Sequence, residues 1–206
     1  MEKVDFERLF DEEMAAPLAS LGFRAVGRSL HAIVADAEVA LIRLGGRMAG
    51  LPGAINHLLC VRKVWLRTLD DCIPDKFVRE PFSYPFKLRP SSILKDRGRR
   101  YRPQNLNYSY DTLEFATEIP GVASAEVREE LQELRSVIAE RVVPWASALS
   151  AKELLKELKK RGEGAWIERL WIDDCQQRIA PVSNREHPLQ VSGDIVNTSP
   201  SGTKPR

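Results

Sequence analysis

Residues 21–44 read Leu21-Gly22-Phe23-Arg24-Ala25-Val26-Gly27-Arg28-Ser29-Leu30-His31-Ala32-Ile33-Val34-Ala35-Asp36-Ala37-Glu38-Val39-Ala40-Leu41-Ile42-Arg43-Leu44. Two aliphatic, β-branched runs, Leu30 to Ala35 and Glu38 to Leu44, flank the pair Asp36-Ala37. A connection this short predicts a β-hairpin. It leaves no room for the crossover helix that a parallel pair requires, so this pair is antiparallel and a parallel α/β sheet is not expected.

Upstream, Phe6, Leu9, Phe10, Met14, Leu18 and Leu21 recur at helical spacing among charged residues, which predicts an amphipathic helix with one buried face. Pro17 removes a backbone donor and predicts a kink or a change of helical segment near Ala16. Gly22 stands where a helix C-cap glycine belongs, with Phe23 placed to fold back on the helix.

Downstream, Gly45 to Gly53 reads as a loop. A third strand is expected at Ile55 to Leu66, where imperfect alternation means either a bulge or burial on both faces. From Thr68 to Pro120 no period is sustained, and short elements are expected there, among them a fourth strand near Leu113 to Ile119. Helical spacing returns from Ser124 to Leu149, with a bend at Pro144. Ser150 and Glu153 form a capping-box signature for a helix through Arg161 that stops at Gly162. Trp166, Ile167, Leu170 and Trp171 predict a last helix. The expected architecture is α+β: an antiparallel sheet of three to four strands, helices on one face, and a helical C-terminal part. One domain over 1–180 and a disordered tail over 181–206, rich in Pro, Ser, Asn and Gly, complete the organisation.

This order of elements resembles a family of bacterial domains, domain of unknown function four-three-zero-four. The resemblance is carried over residues 4–160 by Pro17-Leu18, Leu21-Gly22-Phe23, Gly27, the strand around Val39 to Leu44, and Val143-Pro144-Trp145. Arg43-Leu44-Gly45-Gly46-Arg47 stands where the family carries a polar Gln-Lys-Ser segment. The resemblance implies an α+β fold and no established activity.

The 206 residues suffice for one domain with its own core, and 43% hydrophobic and 29% charged content are those of a globular protein. No apolar run is long enough to span a bilayer. The acidic start, Met1-Glu2-Lys3-Val4-Asp5-Phe6-Glu7, is unlike a signal peptide, so a cytoplasmic location without membrane attachment is expected. Cys60, Cys72 and Cys175 are an odd number at uneven spacing and read as reduced thiols. Nothing in the pattern fixes an oligomeric state.

No catalytic set is recognisable. His57, Cys60 and Cys72 tempt a zinc reading, but side chains three apart on a strand point to opposite faces, so no metal and no cofactor are expected. A Cys60–His31 pair on neighbouring strands is conceivable as a nucleophile with its base; core cysteine and ordinary strand histidine are the simpler roles. Gly45-Gly46-Arg47-Met48-Ala49-Gly50 lacks the Lys-Ser or Lys-Thr of a phosphate loop. The pairs Asp70-Asp71 and Asp173-Asp174 diverge on any regular backbone. No catalytic residue is assigned.

The segment Lys87 to Arg102 stands apart. Seven cations face the single acid Asp96, and Tyr84, Phe86, Tyr101, Tyr108 and Tyr110 flank or interleave them. Lys95, Arg97, Arg99, Arg100, Tyr101 and Arg102 are the candidate binding residues. Guanidinium groups with nearby aromatics suit an acidic protein surface. They also suit single-stranded nucleic acid, the alternative partner, alongside an enzyme whose site is assembled from scattered residues. The remaining reading is a solvated loop paired with acids of the flanking helices. Trp145, Trp166 and Trp171 suggest a second surface, although packing against the sheet explains them more simply.

Overall fold

The computed structural model describes residues 3–44, 56–88, 120–162 and 164–180. The expected strand at Leu113 to Ile119, the glycine loop at 45–53, the candidate residues Lys95 to Arg102 and the tail 181–206 lie outside the described residues.

Helix α1 (Lys3–Phe10) continues through a π-helical turn (Asp11–Ala15) into α2 (Ala16–Ala19). The helical segment changes at Ala16, as expected, and Pro17 does not end the helix. It lacks the N–H that would bond to the carbonyl of Glu13, and the widened turn gives its ring room. The freed Glu13 carbonyl accepts instead from Arg135 Nη1 at 3.2 Å. Phe6, Leu9, Phe10, Met14 and Leu18 are buried, while Leu21, expected on that face, is 37% exposed in the turn that ends the helix. Gly22 takes a φ of 84°, its N–H bonding to the Ala19 carbonyl, and buried Phe23 bonds back to Leu18.

The sheet is a five-stranded antiparallel meander: β1 (Arg24–Val26), β2 (Ser29–Val34), β3 (Ala37–Leu44), β4 (Asn56–Lys63) and β5 (Phe86–Leu88). This corrects the expected three to four strands, because β1 and β5 are too short for alternation to show. The hairpin turn is Ala35-Asp36, one residue earlier than expected. Asp36 is held on both sides. Its carboxylate accepts from Lys63 Nζ at 2.5 Å and Trp65 Nε1 at 3.0 Å, its carbonyl accepts from Val64, and Ala35 takes the positive φ of 52°.

Helix α3 (Pro120–Val137) passes through a second π-helical turn (Ile138–Val142) into α4 (Val143–Ala148), again ahead of a proline, Pro144. Helices α5 (Ala151–Arg161) and α6 (Trp166–Ile179) follow, α5 opened by the expected capping box of Ser150 and Glu153. All pack on the inner face of the sheet. Leu30, Ala32, Val39, Leu41, Leu59, Val61 and Phe86 meet Phe6, Met14, Leu131, Leu134, Ile138, Leu154 and Trp171 in one core. No helix among the described residues is long and apolar enough to cross a membrane.

The outer face is covered as well. Ala40, Ile42 and Cys60 form a smaller cluster with Val78 and Tyr84 from the segment between β4 and β5. That segment is tied down by Arg67, which donates to Asp174 at 2.8 Å and Asp71 at 2.9 Å, and whose carbonyl accepts from Trp171 Nε1. Burial on both faces is why β4 shows no clean alternation.

Candidate functional site

The register of the sheet separates the residues that tempted a catalytic reading. His31 pairs with Ala40, and Ala40 with Cys60, so two strand spacings, roughly 10 Å, lie between His31 and Cys60. His57 faces the helices and stacks on Phe10 at 5.1 Å, while Cys60 faces outward. Burial, aided by Arg43, drives His57 down to about 3. Burial also pushes the Cys60 thiol up to about 12, with Lys87 opposing and Glu38 adding to the shift. Among the described residues no group of three or more His, Cys, Asp or Glu side chains is placed to hold a metal ion. Asp71 and Asp174 both serve Arg67, and their neighbours Asp70 and Asp173 point to solvent.

Two places remain. The first is the β5 edge. Phe86 packs inward, edge-on to Trp145 at 4.9 Å, with the Arg161 guanidinium 4.7 Å from its ring centre. Lys87 faces outward, 5.8 Å from the ring of Phe82. Phe82, Leu88 and Trp145 are all substantially exposed. Lys87 opens the basic segment Lys87 to Arg102, which goes on beyond Leu88 in the sequence with Arg89, Lys95, Arg97, Arg99, Arg100 and Arg102. Trp166 is exposed, whereas Trp171 is core, so the expectation of packing holds for only one of these two tryptophans.

The second place was not legible in the sequence. Ile33, Glu38 and Arg62 pair across β2, β3 and β4 and share the outer face. Glu38 is buried, and its Oε1 accepts from the Val78 backbone N–H at 3.1 Å and from the Tyr84 hydroxyl at 2.7 Å. His31 Nδ1 lies 3.0 Å from the same oxygen. The Tyr84 hydroxyl is also 2.7 Å from the Val78 carbonyl, so one proton serves two acceptors. Burial and the Glu38 carboxylate hold the Tyr84 phenol well above its ordinary value.

Arg62 is the least satisfied member. It is 1% exposed, donates through Nη2 to the Leu66 carbonyl, and sits 3.8 Å from Glu38 Oε2 through Nη1, too far for a hydrogen bond. Among the described residues neither Nε nor Nη1 has a hydrogen-bond partner. Burial pulls its basicity down and Glu38 partly restores it. Beside it opens a cavity of about 420 Å³ with apolar walls from Ile33, Val64, Pro74 and Phe77. Arg24, Arg62 and Lys76 supply its positive charges, and Glu38 and Asp75 its negative ones. Leu58-x-Cys60-x-Arg62 carried the available signal: a charged side chain sharing a strand face with apolar ones.

No family model, curated protein or solved structure matches this chain.

Proposed function

We propose that this protein is a binding module that docks an acidic protein partner along the β5 edge. The carrying observation is that β5 has an exposed aromatic beside a cation on each of its two sides, Phe82 with Lys87 outward and Trp145 with Arg161 about Phe86 inward, where the chain enters the basic run. Aromatic and arginine side chains supply most binding energy at protein interfaces, and a cationic rim selects an acidic partner and speeds encounter. The state of the chemically capable groups supports a binder over an enzyme. The Cys60 and Cys175 thiols, both pushed up to about 12 by burial, are poor nucleophiles, and His57 is sealed in the core. A cytoplasmic location belongs to the same proposal. So does kinship with the four-three-zero-four domains, on Leu21-Gly22-Phe23 and Val143-Pro144-Trp145.

The test is affinity capture from the native host with the wild-type chain, the triple reversal R97E/R99E/R100E, and W145A. An acidic protein retained by the wild type, released by salt and lost with both variants supports the proposal. Capture that ignores both changes contradicts it. Retention of RNA or single-stranded DNA in place of a protein, with affinity falling steeply as salt rises, would favour the nucleic-acid reading.

A further inference from the structure

We infer that helix α5 forms the second half of the docking surface, and that the acidic partner lays an α-helix along it with carboxylates in register with the α5 lysines. This rests on the β5-edge reading and names the element of the partner that such a surface fits. Helix α5 carries Lys152, Lys156, Lys159, Lys160 and Arg161 against Glu153 and Glu157, and all five cations are exposed. At 3.6 residues per turn the four lysines fall within about a third of the helix circumference, on the side away from buried Leu154. Among the described residues none of the four is in an ion pair. The two acids stand apart from them. Glu153 is turned to the Ser150 N–H and hydroxyl at the start of the helix, and both acids line a cavity of about 400 Å³ with Phe86, Trp145 and Leu149.

Two contacts join α5 to β5. Arg161 Nη1 donates to the Pro85 carbonyl at 2.5 Å with its guanidinium 4.7 Å from the Phe86 ring centre, and Lys156 shares the cavity with Trp145. Exposed Trp145 therefore borders both elements. The backbone of β5 selects a helix over an added strand. The edge strand is three residues long, Pro85 before it has no N–H, and the Pro85 carbonyl is already held by Arg161. Short edges, proline and lysine are what blunt a sheet against strand addition. A helix satisfies its own backbone and is read through its side chains. Lys152, Lys156 and Lys160 step about 6 Å along α5, which is the step of carboxylates at i, i+4 and i+8 on a partner helix. An apolar residue beside that acidic stripe enters the cavity at Trp145 as the anchor, while the lysines set register and speed encounter.

The probe is a side-chain-stapled, alanine-based helical peptide with glutamate at every fourth position and one leucine beside that stripe. It is titrated at low salt into the nitrogen-15-labelled full chain. The α5 amides and the Trp145 indole N–H are expected to shift and saturate. A peptide of the same residues scrambled, so that the glutamates no longer share a face, is expected to bind about tenfold or more weakly. The triple reversal K152E/K156E/K160E changes exposed side chains only and should keep the wild-type melting temperature. It should lose about tenfold in affinity for the glutamate peptide and regain it for the matching lysine peptide. Unmoved α5 amides, equal binding of the scrambled peptide, or a folded reversal variant that keeps the glutamate peptide and ignores the lysine one would each overturn the assignment. Capture of the acidic protein from the native host that depends on Trp145 but not on the three lysines would overturn the α5 face and leave the β5 edge standing. Register-dependent peptide binding by a chain that captures no acidic protein supports the α5 face and counts against the β5 edge alone.

Discussion

The Tyr84 hydroxyl stands 2.7 Å from Glu38 Oε1, two buried groups 46 positions apart that join the segment after β4 to the middle of the sheet. One carboxylate thereby positions Val78, Tyr84 and His31 and keeps Arg62 from being wholly unpaired. The covered outer face and its cavity depend on this contact.

Removing the hydroxyl leaves Glu38 one donor short and the Val78 carbonyl unsatisfied. Tyr84→Phe is expected to cost about 1–3 kcal/mol, read from urea denaturation midpoints. Combined with Glu38→Gln in a double-mutant cycle, the two changes should be non-additive, since both disrupt one network. Strict additivity would show that Tyr84 contributes by packing alone.

His57 gives the fold an acid sensitivity with a defined window. In the unfolded chain its imidazole takes up a proton near 6.5, but in the fold only near about 3. Between those values the unfolded state binds more protons, so stability falls as pH drops through the window. Above it the residue has no effect. His57→Phe, which keeps an aromatic ring against Phe10, is expected to flatten the acid limb of stability against pH. In the wild type the His57 ring signals should stay in their neutral positions down to about pH 4. A ring that titrates near its ordinary value would refute the burial argument.

The start of α5 is a local test. Ser150 Oγ accepts from the Glu153 N–H at 3.2 Å, and Glu153 Oε2 accepts from the Ser150 N–H at 2.9 Å. Ser150→Ala removes half of this exchange and should cost about 1 kcal/mol, measured as a lowered thermal midpoint with the fold retained. No change would mean that the packing of Leu154 and Leu158 sets this helix by itself.

How much was legible in the sequence follows from what each face of an element meets. The first helix, the Gly22 cap, the hairpin and the Ser150 capping box were readable because each has one solvated side or a specific local signal. β4 blurred because both its faces are buried, and β1 and β5 escaped because three residues carry no period. The Glu38–Arg62 hub was invisible for a sharper reason. A charged residue in a strand ordinarily marks the wet face, and only the later segment bearing Val78 and Tyr84, which itself has no period, turns that face into an interior. His31 read as an ordinary strand histidine for the same reason, yet it is fully buried. Asp36 moved the hairpin turn by one residue because its partners, Lys63 and Trp65, lie 27 and 29 positions away.

The most direct test of the proposed binding function is site-specific photocrosslinking in the native host, with p-benzoylphenylalanine in place of exposed Phe82 beside Lys87. The expected result is a covalent adduct with one acidic protein, lost when Arg97, Arg99 and Arg100 are reversed to glutamate. No adduct, or one whose yield is unchanged by the reversal, would contradict the β5 edge as the docking surface for an acidic partner.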